Sequence, residues 1–164
     1  MNHDGDLPFD TKMLDQMASV CVHFGLNLQS GQDLIITSTV ESLPLVRRIT
    51  EEAYRAGAGV VTTMLSDEEL SLAKYRYGND ESFDRAPEWL FNGMAEAFGN
   101  NTARLAIAGD NPMLLSEQDP AKISRSGKAM SIAAKPAMER ITNFETNWNI
   151  VSYPGSAWAK QVFP

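Results

Sequence analysis

Residues 33–65, DLIITSTVESLPLVRRITEEAYRAGAGVVTTML, contain two short apolar runs on either side of a longer segment with helical periodicity. The runs 33–38 and 60–65 are rich in β-branched and apolar residues, which is typical of buried strands. In the segment between them, Ser42 is placed to cap a helix and Gly57 to end it. A strand, a helix and a second strand in this order predict parallel strands joined by a right-handed crossover.

The same alternation continues through the rest of the chain. Short apolar runs predict two further strands at 103–108 and 147–151. Apolar residues at helical spacing predict helices over 11–25, 67–76, 87–99 and a long segment that contains 123–141. The first of these helices has Thr11 as its predicted N-cap and Gly25 as its predicted stop.

These elements predict an α/β fold, an open, mostly parallel, Rossmann-like sheet with helices on both faces. We expect the strand at 33–38 to lie between those at 60–65 and 103–108, because the crossover helices must cover both faces of an apolar sheet. The domain spans 11–155, and residues 1–10, with their acidic residues, glycine and proline, predict a flexible tail.

Length, composition and charge exclude several classes of protein. The chain has 164 residues, 43% of them apolar, and a net charge of −7. This composition predicts one globular domain, and the acidic balance argues against a general nucleic-acid-binding surface. The single cysteine cannot form an internal disulfide, and no apolar run approaches the ~18 residues of a membrane span. We therefore expect a cytoplasmic protein with neither a nucleic acid nor a membrane as its partner.

The chain offers few residues for a catalytic or metal centre. Its two histidines are His3, near the N-terminus, and His23, in the first predicted helix. Cys21 lies two positions from His23 and points to a different side of that helix, so we expect Cys21 in the core and His23 at the surface. No His-Glu-x-x-His, Cys-x-x-Cys or Gly-x-Ser-x-Gly motif occurs. We predict no catalytic residue, no metal ligand and no cofactor in these 164 residues.

Three loop motifs invite comparison with ligand sites. Gly57-Ala58-Gly59 lacks the third glycine of a dinucleotide fingerprint and precedes a strand, so a helix stop followed by a turn is the better interpretation. Ser126-Gly127-Lys128 lacks the upstream glycine of a phosphate-binding loop and falls within a predicted helix. Asp110 directly follows the third strand, where open α/β sheets bind their ligands, although a turn also explains this residue. Asp110 is therefore the best-placed polar candidate.

Charged residues concentrate in two places. The acidic run 67–69 begins a predicted helix, where capping and the helix dipole explain carboxylates better than a metal site does. We expect the long helix to present either a solvated basic face or a docking face for an acidic neighbour. Its basic residues are Lys122, Arg125, Lys128, Lys135 and Arg140.

Residues 156–164 predict the start of a helix, with Ser156 as its cap. One or two helical turns are not stable alone, and this segment carries Trp158, Val162 and Phe163. We expect these three side chains to be disordered or packed against another copy of the chain, because the α/β domain leaves little to cover them. The segment is interpreted as the beginning of a helix that leads into a further, absent domain.

Three groups of residues, in order along the chain, carry a family resemblance. They are 14–18 with 25–32, 45–47 with 53–58, and 147–159, in which Asn-Trp is followed by Tyr-Pro-x-x-x-Trp-Ala. Together they resemble the thermophilic-type metallo-aminopeptidases, the aminopeptidase T and aminopeptidase S group.

The resemblance implies that the chain is the N-terminal domain of a much longer, metal-dependent aminopeptidase, which removes N-terminal amino acids from peptides. In that family, carboxylates and histidines of the C-terminal half bind two divalent metal ions, zinc, cobalt or magnesium. The implied partners are therefore the C-terminal catalytic domain, a peptide substrate and a second copy of the parent enzyme in a homodimer. None of the family's catalytic residues has a counterpart at a numbered position here.

The resemblance leaves a supporting role for this part of the enzyme. Asp110, Trp148, Tyr153, Pro154 and Trp158 are the candidates for a wall of the substrate cleft or a contact with the catalytic domain, and ordinary interdomain packing is the alternative. Two other functions stay open. One is the N-terminal domain of a related iron-dependent ring-cleaving dioxygenase, and the other is a stand-alone α/β binding module.

Overall fold

The structure, a computed structural model, describes residues 10–163. The predicted flexible tail at 1–10 lies outside the described residues except for Asp10. The helices and strands are α1 (Thr11–Ser19) with a π-helical continuation (Val20–Gly25), β1 (Leu34–Thr39), a 3₁₀ turn (Val40–Ser42), α2 (Leu43–Arg55), β2 (Val61–Ser66), α3 (Glu68–Tyr77), a second 3₁₀ turn (Asp80–Asp84), α4 (Glu88–Gly99), β3 (Ala103–Ala108), α5 (Pro120–Thr142), β4 (Trp148–Ser152) and α6 (Ser156–Val162).

The four strands form one open, all-parallel sheet in the order β2-β1-β3-β4. Leu34 of β1 pairs with Val61 of β2 on one side and with Ala103 of β3 on the other. Arg104 of β3 pairs with Trp148 of β4. The predicted α/β fold is confirmed, and so is the central place of the first strand between the second and the third.

The two faces of the sheet carry different helices. Alternate residues of a strand point to opposite faces. Leu34 and Ile36 pack against α1, its π-helical continuation and α2, on what we call the α1–α2 face. Ile35, between them, packs instead against α4 and α5, on the α4–α5 face. Helices therefore cover both faces, as predicted.

The first helical segment has a different N-cap from the predicted one, and it ends at Gly25, as predicted. Asp10, not Thr11, is the N-cap, because its extended backbone lets its carboxylate accept a hydrogen bond from Lys12 N at 2.9 Å. Gly25 is the last residue of the π-helical continuation, and the left-handed conformation follows two residues later at Asn27 (φ 49°). A Cβ at Gly25 would overlap the side-chain amide of Asn149 on β4, which would have to move.

A side-chain network joins the loops at the amino edge of the sheet. Gln32 Nε2 donates to Asn101 O at 2.8 Å and to Asn147 Oδ1 at 2.6 Å. Asn147 Nδ2 in turn donates to Leu26 O at 2.6 Å. Two residues of the motifs that carry the family resemblance, Gln32 and Asn147, therefore hold the loops before β1, β3 and β4 together.

The short helix α6 lies beyond the end of the sheet. Trp158 and Val162 are 39% and 47% exposed, and Phe163 is 77% exposed. The core of the domain does not bury them, which agrees with the prediction that the domain leaves these side chains poorly covered. Their packing against a second copy stays a prediction. No helix within residues 10–163 is both long and apolar enough to cross a membrane.

Candidate functional site

The carboxyl edge of the sheet brings together the segments that follow three strands. Tyr153 N, just after β4, donates to Ala108 O at the end of β3 at 2.7 Å. A Cβ at Gly109 would collide with the backbone oxygen of Tyr153, and a Cβ at Gly155 would force the Glu41 carboxylate to move. The segments after β1, β3 and β4 thus touch each other, and the glycines permit this close approach.

This edge contains the topological switch point of the sheet. The helix after β1 packs on the α1–α2 face, whereas the helices before and after β3 pack on the α4–α5 face. Connections on opposite faces open a crevice between the carboxyl ends of the two adjacent strands, and ligands of open α/β sheets bind there. The candidate site is therefore the edge formed by the segments after β1 and β3.

Two buried serines close the end of β1 at this edge. The hydroxyls of Ser38 and Ser42 hydrogen-bond to each other, and Ser42 Oγ also donates to Thr39 O at 2.8 Å. Ser42 occupies the N-cap position of α2, as predicted, but its side chain makes no capping bond because the hydroxyl is engaged in this way. Within residues 10–163 neither hydroxyl is paired with a histidine or carboxylate, so these residues supply no nucleophile–base arrangement here.

Tyr153 lies at this edge but belongs to the core of the α1–α2 face. Its side chain is only 7% exposed. Burial raises the pKa of the Tyr153 phenol above its ordinary value, and nearby Arg48 opposes this shift while Glu41 adds to it. Pro154 is half-buried and Gly155 is buried, so this part of the motif directs the chain from β4 into α6.

Asp110 is exposed at the same edge, beside two cavities. One, of about 500 Å³, lies between the sheet and helices α4 and α5, and the other, of about 670 Å³, is lined by α3, α5 and the segment after β3. A residue of α3 holds the segment after Asp110 in place, because Asn111 N donates a hydrogen bond to Glu68 Oε1 at 3.0 Å. Asp67 caps α3 as predicted, accepting a hydrogen bond from Leu70 N at 3.0 Å.

The five candidate residues do not form one cluster. Asp110, Tyr153 and Pro154 lie at the carboxyl edge, and Trp158 follows in α6. Trp148 is at the other end of β4, half-buried against the small cluster of the α4–α5 face. Trp148 is the first residue of β4, whereas the carboxyl edge is at the other end of the strand, about four residues further along the chain. This distance separates Trp148 from the other candidates.

The sequence alone did not point to Arg104 as a site residue. Its half-buried side chain lines the 500 Å³ cavity from the middle of the sheet. Burial lowers the pKa of the Arg104 guanidinium, and neither a charge nor a hydrogen bond contributes to that shift. The available signal was a single charged residue in an otherwise small and apolar strand, residues 103–108.

The described residues contain no cluster of the side chains that usually bind metal ions. Within residues 10–163 no three histidine, cysteine, aspartate or glutamate side chains are grouped so that they would hold one. Cys21 is buried, as predicted, and burial raises the pKa of its thiol. His23 is at the surface, as predicted, with Nε2 2.8 Å from Glu52 Oε1. His3 lies outside the described residues.

The long basic helix is largely neutralised within the chain. Arg125 forms ion pairs with Asp80 at 2.9 Å and with Asp84 at 2.5 Å. These pairs lower the pKa values of both carboxyls and raise that of Arg125. Arg140 pairs with Glu145, and Lys122 Nζ lies 5.1 Å from the centre of the buried Phe83 ring. The predicted basic face is therefore interrupted by acidic partners that the sequence separation concealed.

The loop motifs have structural roles. Gly57 has a positive φ of 91° directly after α2, and its carbonyl accepts a hydrogen bond from Gly31 N at 2.7 Å. This is the helix stop and turn that the sequence favoured. Ser126-Gly127-Lys128 lies inside α5.

The model of a protein family described as "Thermophilic metalloprotease (M29)" matches residues 10–164. The chain belongs to the M29 family. Aminopeptidase T of Thermus thermophilus is 42% identical over 151 residues, which cover 92% of this chain and 37% of that protein. Aminopeptidase T of Thermus aquaticus is 38% identical over 154 residues, 94% of this chain and 38% of that protein.

The same M29 relationship holds in three dimensions. The structure described as wild-type AmpT from Thermus thermophilus superposes with a TM-score of 0.91 at 42% sequence identity, covering 93% of this chain and 38% of that one. The chain thus matches the N-terminal domain of an aminopeptidase T-like enzyme and spans less than two fifths of the length of these relatives.

Proposed function

We propose that this chain is the non-catalytic N-terminal domain of a metal-dependent aminopeptidase that removes N-terminal amino acids from peptides. The observation that carries the proposal is a contrast. The family is one of metalloproteases, yet residues 10–163 hold no group of side chains that fits a metal ion. A two-metal peptidase needs several carboxylate and imidazole ligands that converge on the ions.

The proposal divides the work between two parts of a longer polypeptide. The part that this chain does not cover supplies the ligands for two divalent ions, zinc, cobalt or magnesium, and with them the hydrolytic chemistry. This chain supplies a rigid sheet whose carboxyl edge, with Asp110, Tyr153 and Pro154, faces the substrate cleft or the catalytic domain. Such an edge is where folds of this type place ligand contacts.

The partner is proposed to be the catalytic domain of the same polypeptide, with a second copy completing a homodimer in the cytoplasm. The exposure of Trp158, Val162 and Phe163 supports an apolar contact beyond α6. The relatives reported above are aminopeptidases, which favours this proposal over a dioxygenase or a stand-alone binding module.

The first test measures hydrolysis and metal content together. The 164-residue chain and a longer polypeptide that contains it are assayed on leucine p-nitroanilide with cobalt, zinc or magnesium, and bound metal is measured after dialysis. We expect turnover and bound metal only in the longer polypeptide, and loss of both with a chelator. Chelator-sensitive turnover by the 164-residue chain would contradict the proposal, and so would a longer polypeptide that is inert on aminoacyl substrates.

The second test separates the substrate cleft from ordinary packing. In the longer polypeptide, Trp158→Ala is compared with Trp89→Ala, a control at a tryptophan of α4 that is 76% exposed. If Trp158 contacts substrate, KM rises about tenfold, or ~1.4 kcal/mol, while the melting temperature stays unchanged. A lower melting temperature with unchanged KM would assign Trp158 to packing between domains. The control variant should alter neither quantity.

A further inference from the structure

A cavity of about 500 Å³ lies between the α4–α5 face of the sheet and its two helices. This is within the range of small-molecule sites in proteins. Its wall is mainly apolar and includes Met64, Met94, Met130, Met138, Phe91 and Phe98. Methionine side chains are flexible and polarizable, so four of them form a wall that adapts to apolar groups of different shape.

Of the residues that the structure describes, Arg104 is the one cation that lines this cavity. Its neighbours across the sheet are apolar, Ile35 on β1 and Trp148 on β4. Burial lowers the pKa of the guanidinium with no contribution from a neighbouring charge, and among residues 10–163 its side chain forms no ion pair or hydrogen bond. Removing a charge from water without a partner is costly, and buried charges in proteins are normally paired. The half-buried guanidinium therefore has five N–H donors available to a ligand, since no side chain among residues 10–163 is paired with it.

We propose that this cavity binds a small monocarboxylate with an apolar body. The carboxylate pairs with Arg104, whose planar fork of donors matches the two carboxylate oxygens. The apolar body lies against the methionines and phenylalanines. The site goes beyond the proposed peptidase function and does not depend on it.

The charges around the cavity favour one negative charge over several. Among residues 10–163, Arg104 is the single cation that lines it, and Asp110 adds a carboxylate at the same wall, towards the carboxyl edge. The chain as a whole carries a net charge of −7. A phosphate or a dicarboxylate would bring further negative charge to a place that provides one positive partner.

Two sources share this chemistry, an acid without an amino group and an apolar amino acid. Octanoate is the probe for the first and leucine for the second, and octanamide is the neutral control. Dissociation constants of all three are measured calorimetrically on the 164-residue chain. We expect a carboxylate, octanoate or leucine, to bind at least about tenfold more tightly than octanamide. The stronger of the two carboxylates identifies the source.

Two kinds of variant distinguish the contribution of Arg104 to binding from that of the apolar cavity. Arg104→Met should remove the preference for a carboxylate over octanamide, while Arg47→Met, at an exposed arginine on α2, should leave it unchanged. Ala134→Phe, which places a large ring from α5 into the cavity, should weaken the binding of all probes, and it tests the site even if Arg104→Met does not fold. Equal affinity for octanoate, leucine and octanamide would overturn the proposal. So would a preference that survives Arg104→Met, unchanged binding in Ala134→Phe, or no saturable binding at all.

Discussion

The two faces of the sheet are packed very differently. Among residues 10–163, the core of the α1–α2 face contains fifteen buried apolar residues, whereas that of the α4–α5 face contains four. The first face fills its volume with branched side chains from α2, such as Leu45 and Ile49. The second leaves a cavity, because α5 turns small residues, such as Ala134 and Ala137, towards the sheet. One face stabilises the domain, and the other leaves room for a ligand.

The difference has a physical cause in the sequence of the two helices. Close packing in a protein core leaves few voids larger than a water molecule, so a large cavity is an exception that needs a reason. Dispersion contacts and transfer free energy are both lost where a cavity replaces side chains. On the α4–α5 face the cavity lies next to a half-buried arginine. An apolar cavity with one polar group is typical of a binding site rather than of a core.

The largest expected effect comes from matched isoleucine truncations on the two faces. Ile36→Ala, at a fully buried position on the α1–α2 face, should lower the free energy of unfolding by about 2–5 kcal/mol. Ile150→Ala, on β4 at a position that is 53% exposed, should lower it by less than ~1 kcal/mol. Urea unfolding of both variants measures the difference, with an unchanged m value as the check that the unfolded state is the same.

The comparison between the two faces fails if both truncations lower the free energy of unfolding by the same amount. Equal losses would mean that the α4–α5 side of β4 is covered as well as the centre of the other face. The contrast between a packed face and an open face would then be wrong.

The next effect is smaller and has the opposite sign. Arg104→Met should raise the free energy of unfolding by about 1 kcal/mol, because it replaces an unpaired, half-buried cation by an apolar side chain of similar length. Arg47→Met, at the exposed control position, should change it by less than ~0.5 kcal/mol. A clear destabilisation by Arg104→Met in thermal or urea unfolding would show that the arginine has a structural partner.

The third effect is a loss of stability at alkaline pH, and it arises from two residues in the core of the α1–α2 face. Cys21 and Tyr153 both have pKa values raised by burial from their ordinary values of 9.0 and 10.0. Their protonated forms are therefore favoured by folding, and stability is lost as the pH rises above those ordinary values. Replacing Cys21 by Ala and Tyr153 by Phe should flatten this alkaline loss in unfolding curves. An unchanged slope would contradict the assignment.

Much of the fold was predictable from sequence, because its strands are short apolar runs separated by helix starts and stops that local chemistry determines. The predicted strands at 33–38, 60–65, 103–108 and 147–151 each lie within one residue of an observed strand at both ends. Local signals were less reliable where several groups compete. Thr11 lost the capping role to Asp10, and the Ser42 hydroxyl bonds to other partners.

The site was harder to predict, because it depends on distant pairs. Asp110 could be proposed from its place after a strand, where open α/β sheets bind their ligands, and its role stays a prediction. Arg104 could not be recognised from the sequence. It is a candidate because none of residues 10–163 pairs with its side chain, and only the folded structure shows this. Asn147 and Gln32 are 115 positions apart, and only the sheet brings their side chains together.

The smallest expected effect lies at acidic pH, on the outer surface of α5. Arg125 lowers the pKa values of Asp80 and Asp84 below their ordinary value of 3.8 mainly by hydrogen bonds, and Lys122 adds to the effect on Asp80. A lowered carboxyl pKa stabilises the fold at pH values above 3.8, and this contribution is lost as the pH falls through the folded-state values. These carboxylates are exposed, so solvent and salt reduce the effect. Arg125→Met should therefore reduce the acid-dependent part of the melting temperature only slightly, and less at high salt. Lys128→Met, at an exposed lysine three residues further along α5, is the control and should leave the acid dependence unchanged. An acid dependence in Arg125→Met identical to that of the parent chain would show that the network adds nothing to the stability of this face.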